Sequence, residues 1–470
     1  MGTLPVLTDA GNAGFQDILQ PFLQQPGLPF ADVLDPQTIH RAFVERDALF
    51  ATDAVFTTSV VLWAFLAQTL RDGKGAACAA AVADIATYTQ QTQRPMPSGD
   101  TGDYCRARAK LDPEALRALV RQSARQLADD SRDDWLWRSR HAKLVDGFTF
   151  TMPDTPDNQH AFPQQTNQAR GVGLPIARAC AVVSLATGAV HDLAVGPYQG
   201  KQTGETALLR EILDCLDTGD VAVFDRCYCS FLMLATLGLR GVDVCTRLHQ
   251  CRTCDFGLGQ SLGDRDHLVT WTRPDCPPWM PQEQYERIPE TLTLRELQFD
   301  VKTPGHRSET ITVVTTLTDP AVYSKEDVAE LYGCRWNVEL DIRDIKQTLS
   351  LDHVRCKSPA MVLRELWVTM LAYNLIRKVI ATAAATHDKQ PREIGFTLAC
   401  QTILSSWMLF TTGAVRDPAE AARLALARIA ANEVANRPKR IEPRVLKRRR
   451  HRYPLMTRPR EEYKEGAWMT

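Results

Sequence analysis

The sequence predicts an α/β fold on three observations. Strand-like and helix-like segments alternate between residues 143 and 247. The apolar segment Val221-Ala-Val-Phe224 reads as a strand covered on both faces. A helical pattern free of proline from Ser324 to Pro359 follows a stretch rich in β-formers. Helical segments precede this core and a basic tail follows it.

The chain of 470 residues is too long for one hydrophobic core, so several domains are expected. Hydrophobic residues make up 44% and charged residues 24%, the balance of a globular protein. Net charge is −1, so a nucleic-acid role would need local basic patches. The start lacks the basic and apolar regions of a signal peptide, and the longest apolar run, Ser59 to Leu70, is broken by Gln68. A cytoplasmic protein with reduced thiols is expected. The thirteen cysteines form no framework. His249, Cys251, Cys254, His267 and Cys276 contain a single Cys-x2-Cys pair, which argues against a zinc knuckle.

In chain order, residues up to about Asp130 read as helices. Thr57 to Leu70 is apolar on most faces, and an Ala-rich helix follows the Asp72-Gly73-Lys74-Gly75 turn. Thr101 to Leu111 carries Arg106, Arg108 and Lys110, and Asp112-Pro113 starts another helix. A small DNA-binding module and a plain bundle fit this pattern equally. Lys143 to Met152 reads as a strand carrying Asp146-Gly147. Ala177 to Leu185 and Ala189 to Val195 form a hairpin about Thr187-Gly188. Gln202 to Leu216 reads as a helix, and the Val221–Phe224 strand ends on Asp225-Arg226. A helix over Tyr228 to Leu239 and a strand over Val242 to Arg247 follow. His267 to Thr272, Thr291 to Val301 and Thr310 to Leu317 make the β-rich insertion. Leu363, Leu366, Trp367, Met370, Leu371, Asn374 and Leu375 give the helix from Ala360 a buried face.

On a continuous helix, Tyr332 at 0° puts Arg335 near ~300°, Glu339 near ~340° and Lys346 near ~320°. These polar groups share one stripe, beside the apolar stripe of Leu331, Val338, Ile342, Ile345 and Leu349. A solvated face with i,i+4 charge pairs has the same pattern. A carboxylate among cations and a phenol also suits an acid that holds metal while its neighbours hold phosphates. Asp225 lies at the carboxyl end of a central strand, where open sheets place their chemistry, although such an Asp is also a common helix cap. Asp146, Asp225 and Glu339 form a candidate all-oxygen metal site without histidine, suited to Mg²⁺ or Mn²⁺. Asp154 is the fallback for Asp146. Gly171-Val-Gly173 lacks the spacing of a phosphate loop.

Between about Thr101 and Arg460 the chain resembles DDE transposases of the insertion-sequence-4 family. The Asp146-Gly147 strand, Asp225-Arg226-Cys227-Tyr228, and Tyr332, Arg335, Glu339 and Lys346 in the Tyr-x2-Arg-x3-Glu-x6-Lys motif carry the likeness. The acids stand 79 and 114 residues apart, and the longer gap holds the β-rich insertion.

The resemblance implies an RNase H-like core of mixed sheet and flanking helices, interrupted by a β-strand-rich insertion. It has an N-terminal helical domain and a basic C-terminal tail. The expected boundaries are 1–135 (helical, repeat-binding), 136–248 (core, first part), 249–320 (insertion), 321–390 (core, second part) and 391–470 (C-terminal helices and tail). It implies two Mg²⁺ or Mn²⁺ ions held by Asp146, Asp225 and Glu339, with DNA cut at transposon ends and the 3′-hydroxyl joined to a target. Tyr332, Arg335 and Lys346 would hold phosphates, with Arg226 and Arg343 as further DNA contacts. Trp271 or Trp279 would stack on a flipped base. The tail, densest at Arg444 and Lys447-Arg448-Arg449-Arg450, suits a DNA backbone. Partners are terminal inverted repeats, target DNA and a second copy of the chain. The alternatives are an RNase H-like nuclease or resolvase on branched DNA, a catalytically inactive DNA-binding derivative, and a scaffolding protein.

Overall fold

The computed structural model describes residues 36–46, 48, 50, 55–91, 95–301, 309–411, 417–434 and 456–467. The basic residues Arg444 and Lys447 to Arg450 lie outside the described residues. Nine described strands make one sheet: β1 (Ala142–Thr151), β2 (Ile176–Ser184), β3 (Val190–Pro197), β4 (Val221–Phe224), β5 (Asp243–Arg247), β6 (Gln260–Gly263), β7 (Asp266–Thr272), β8 (Thr291–Val301) and β9 (Glu309–Thr315). Their order is β3-β2-β1-β4-β5-β9-β8-β7-β6. β1 pairs antiparallel with β2, and β2 with β3, while β1, β4 and β5 run parallel. This is the RNase H-like order. β4 is wholly buried, as its unbroken apolar run requires.

The inserted strands extend the same sheet, because β9 pairs antiparallel with β5. β6 was not foreseen; its Gln-Ser-Leu-Gly sequence lacks a β-former pattern and pairs only at the outer edge. The buried Arg295–Asp266 ion pair closes the insertion, and Arg295 also donates to the Tyr323 carbonyl at 2.6 Å. That bond ties the insertion to the segment entering the Glu339 helix.

Two helices are shorter than expected. The segment from Gln202 is helical only over Glu205–Arg210, with a separate 3-10 turn at Leu213–Cys215. The segment from Tyr228 begins as a 3-10 turn, Arg226–Tyr228, and its helix, Phe231–Leu239, starts where Ser230 accepts from the Met233 N–H. The single helix expected through Tyr332 and Lys346 is also three pieces: Lys325–Gly333, Trp336–Arg343 and a π turn at Asp344–Thr348. Past Gly333 the bonding shortens to three-residue steps (Arg335 N to Tyr332 O, 3.0 Å; Asn337 N to Cys334 O, 3.0 Å), and Asn337 Nδ2 adds a second bond to Cys334 O. Gly333, the weakest helix former of the run, sits at the break.

The helices before residue 135 share one hydrophobic core with the sheet and the C-terminal helices. Asp192 on β3, fully buried, receives the forked guanidinium of Arg117 (3.0 and 2.7 Å) and a bond from Arg121 Nε at 2.9 Å. Both arginines lie on the helix Pro113–Asp129, which is thereby fixed to the sheet edge. Arg108, expected on a basic face, instead packs over Phe65 at 4.6 Å and donates to Gln68 at 2.9 Å. The helix Pro359–Thr386 is buried on nearly all sides, beyond the one face expected. Its Asn374 holds the Val190 N–H and C=O of β3 and the Val120 carbonyl of the neighbouring helix.

The Glu339 helix is anchored from behind. Asp341, two residues on, is fully buried and accepts from Tyr373 (3.0 Å), Arg377 (2.6 Å) and Arg392 (2.6 and 2.8 Å). Replacing Asp341 by Ala leaves Arg377 buried without its main partner. The expected cost is about 3–5 kcal/mol, read as a lowered midpoint in urea; a change below about 1 kcal/mol would contradict this anchoring role.

Candidate active site

Val145 on β1 pairs with Phe224 on β4 in the parallel register, so Asp146 and Asp225 follow side by side on neighbouring strands. Strand spacing holds their backbones about 5 Å apart. Each carboxylate accepts from the N–H of the next residue: Gly147 to Asp146 at 2.8 Å, Arg226 to Asp225 at 2.7 Å. Asp225 also caps the 3-10 turn, so its capping and site positions are compatible. Glu339 comes from the helix Trp336–Arg343, which packs on β1, and it takes a 2.9 Å ion pair from Arg335. Asp146, Glu339, Ile342 and Lys346 line a cleft of about 570 Å³. Asp225 is not among the lining residues, but its charge is felt at Arg335, Tyr332 and Cys227.

Burial dominates the electrostatics of the site. Burial pushes Asp146 up to about 6; the Gly147 N–H and Arg335 oppose this, and Glu205 and Glu339 add to it. Burial works against the Arg335 charge, but Tyr332, Glu339 and Asp225 outweigh it and hold its pKa above the ordinary value. The donor groups are all carboxylates, which fits a hard divalent cation.

Glu205 was not foreseen. It lies in the first turn of its helix and lines the same cleft. Its carboxylate is 3.5 Å from the Tyr228 hydroxyl and 3.9 Å from Cys227 Sγ. A Cβ at position 147 would meet Glu205 Cδ at 2.2 Å, so glycine there makes room for this side chain. The Asp-Gly pair was visible in the sequence; its partner was not. Arg178 on β2 also lines the cleft, stacked on Tyr198 at 4.6 Å and donating to Thr203 O at 3.3 Å.

The remaining expected residues divide. Lys346 lines the cleft and is paired with Asp352 at 2.7 Å. Tyr332, in the last turn of the helix Lys325–Gly333, is 6% exposed, and burial raises its pKa. Arg226 and Arg343 are exposed and outside the cleft lining. Asp154 is exposed on the loop after β1, bonded to Gln159 at 2.8 Å, and not in the cleft. Trp271 corrects an expectation: it is buried in the insertion, its indole N–H donates to Glu296 at 3.0 Å, and Arg252 covers its ring at 3.7 Å. Trp279 carries Arg210 on its ring at 3.9 Å. Trp336, in the first turn of the Glu339 helix, is 60% exposed, with the Arg335 guanidinium 5.7 Å from its ring.

Asp146 lies within β1, Asp225 just past the end of β4, and Glu339 on the helix packed against β1, all on an RNase H-like sheet. Residues 137–375 match the family "Transposase DDE domain", half of the chain, and the chain belongs to that family. Nearly its whole length is similar to the transposase InsG of insertion sequence IS4 from Escherichia coli K12, at 24% identity over 443 residues, 92% of this chain and 94% of that protein. It thus stands with the insertion-sequence-4 group. The transposase of insertion sequence IS421 from Escherichia coli is 36% identical over 73 residues, 16% of this chain and 19% of that one. A cryo-EM structure of the piggyBac transposase synaptic complex with hairpin DNA aligns with a TM-score of 0.40 at 10% identity, over 90% of this chain and 84% of that one. That likeness is too loose to carry an argument. The protein is a DNA transposase, of a family that uses divalent metal ions to cleave DNA and transfer strands. No helix among the described residues is long and apolar enough to cross a membrane.

Gly147→Ala is expected to unseat Glu205 and lower Mg²⁺-dependent DNA cleavage at least about tenfold, with a stability cost of about 1–3 kcal/mol. Cleavage equal to wild type would mean that the Glu205 position does not matter to the site.

Proposed function

We propose that Asp146, Asp225 and Glu339 are the catalytic acids and hold two Mg²⁺ or Mn²⁺ ions. The observation that carries this reading is the adjacency of Asp146 and Asp225 on parallel strands, with Glu339 in the cleft that Asp146 lines. The raised pKa of Asp146, caused mainly by burial, supports it, because a carboxylate that has lost solvation gains from a bound cation. When bound, the ions supply the charge that activates the attacking oxygen and stabilises the leaving one.

The other roles follow from chemistry and position. Arg335 fixes the Glu339 carboxylate and offers its remaining donors to a phosphate. Lys346 and Arg178 bring positive charge to the cleft for the flanking phosphates. Tyr332 packs under Arg335 and supports it. Trp336, exposed on the helix that carries Glu339, offers a face for a base displaced from the duplex. Arg226 and Arg343 contact the DNA backbone, and the basic residues Arg444 and Lys447 to Arg450 also contact it. The helices before residue 135 read the terminal repeat. The substrate is the inverted-repeat end of the element, and the freed 3′-hydroxyl is joined to target DNA in a cut-and-paste cycle. Bringing two ends together requires a dimer. The reaction runs in the cytoplasm, on chromosomal DNA.

The test is end cleavage on a duplex carrying the sequences that flank the protein's own gene. Wild type is expected to nick at a defined end in Mg²⁺. Asp146→Asn, Asp225→Asn and Glu339→Gln are expected to bind that end and lose on the order of a thousandfold or more in rate. Cleavage by any of the three near the wild-type rate would remove that residue from the catalytic set. Separately, replacing Lys447, Arg448, Arg449 and Arg450 by Gln should flatten the slope of log affinity against log salt by up to about 4, with the fold intact. An unchanged slope would exclude the tail from DNA contact.

A further inference from the structure

The inserted strands bring three metal-ligating side chains together away from the acids. Cys254, His267 and Glu296 present one ligand atom each, all within 4.8 Å of one another. His267 and Glu296 are directly opposed on β7 and β8, so their side chains share a face. Cys254 comes from the connection that leaves β5. Gly259, with φ +76°, lets that connection approach β7 closely: a Cβ there would lie 2.1 Å from the Leu268 carbonyl oxygen.

The separations suit a single ion. His267 Nε2 is 3.7 Å from Cys254 Sγ and 3.4 Å from Glu296 Oε2. Around tetrahedral zinc, bonds of about 2.3 Å to sulfur and 2.0 Å to nitrogen or oxygen give ligand edges of about 3.5 and 3.3 Å. The groups behind the ligands fit as well. His267 Nδ1 is 2.7 Å from the Leu258 carbonyl, a bond in which Nδ1–H donates and the Nε2 lone pair is left facing Cys254 and Glu296. The second oxygen of Glu296 accepts from the Trp271 indole at 3.0 Å. His267 is 1% exposed and Glu296 4%. A mixed sulfur, nitrogen and oxygen set selects a borderline-soft ion over the hard ion that the all-carboxylate site takes.

We propose that Cys254 Sγ, His267 Nε2 and Glu296 Oε2 form a structural zinc site that pins the connection after β5 onto the inserted strands. The thiol proton leaves to solvent on binding, and the fourth position is taken by water on the half-exposed Cys254 side. β5 adjoins β4, and Thr246 on β5 donates to the Asp225 carbonyl at 3.2 Å. The ion would thus brace the chain just beyond the strand that supports Asp225.

The full-length protein, expressed with zinc and dialysed against a weak chelator, is to be measured for metal by plasma mass spectrometry. About one zinc per chain is expected in wild type and in Asp225→Asn, and almost none in Cys254→Ser or His267→Ala. Trp271→Phe should keep the ion but weaken its affinity about 10- to 100-fold. Cobalt(II) titrated into metal-free wild type should give a thiolate-to-cobalt absorption band that Cys254→Ser lacks. This readout needs no folded Cys254 variant for its positive arm. Wild type without zinc and without the cobalt band, or Cys254→Ser binding as much zinc as wild type, would overturn the proposal. Zinc that disappears in Asp225→Asn would assign the ion to the acids instead.

Discussion

The parallel pairing of β1 with β4 is the constraint on which the rest depends. Its register sets two carboxylates beside each other, Asp146 and Asp225. Two like charges brought into one neighbourhood are unfavourable until a cation is bound. Several features offset that repulsion. Each acid accepts a backbone N–H from the next residue, and the ladder to β2 and β5 holds both strands. Arg335 supplies positive charge from the facing helix. The helix is held at that distance by Asp341, buried behind Glu339 among Tyr373, Arg377 and Arg392. An acid pair in front and a satisfied acid behind are two parts of one arrangement: the second fixes the helix that carries Glu339 toward the first.

Much of this was legible because it depends on local pattern. Val221 to Phe224 is apolar throughout, so a strand covered on both faces could be read and Asp225 placed at its end. Asp146-Gly147 and the Tyr332, Arg335, Glu339 and Lys346 spacing stood out as motifs. The break after Gly333 was not legible, because a single glycine inside a helical pattern is tolerated and the change to three-residue hydrogen bonding is settled by tertiary packing. Tyr332, in the last turn before the break, is buried, while Lys346, within the π turn, lines the cleft. Glu205 and Arg178 were missed because each is a lone charged residue whose place in the cleft arises from contacts distant in sequence. Trp271 was named with Trp279 as a stacking candidate because sequence carries no sign of the Arg252 and Glu296 that occupy its ring and indole N–H.

The insertion is part of the core sheet. β9 adds to the edge of β5, and Arg295 links β7 and β8 to the entry of the Glu339 helix through Tyr323. A disturbance in the insertion therefore has two routes to the acids, one through β5 to Asp225 and one through Tyr323 to Glu339. The buried polar groups that the insertion carries, the Arg295–Asp266 pair and the His267–Glu296 pair, are the kind that fix one register of a sheet, because a slip by one residue would strand them without partners.

The most direct test of the central claim is an anomalous-difference map from crystals soaked in Mn²⁺. The account predicts density in the cleft, coordinated by Asp146, Asp225 and Glu339 together. Density that leaves Asp225 or Glu339 uncoordinated while Asp146 and Glu205 hold the ion would contradict it.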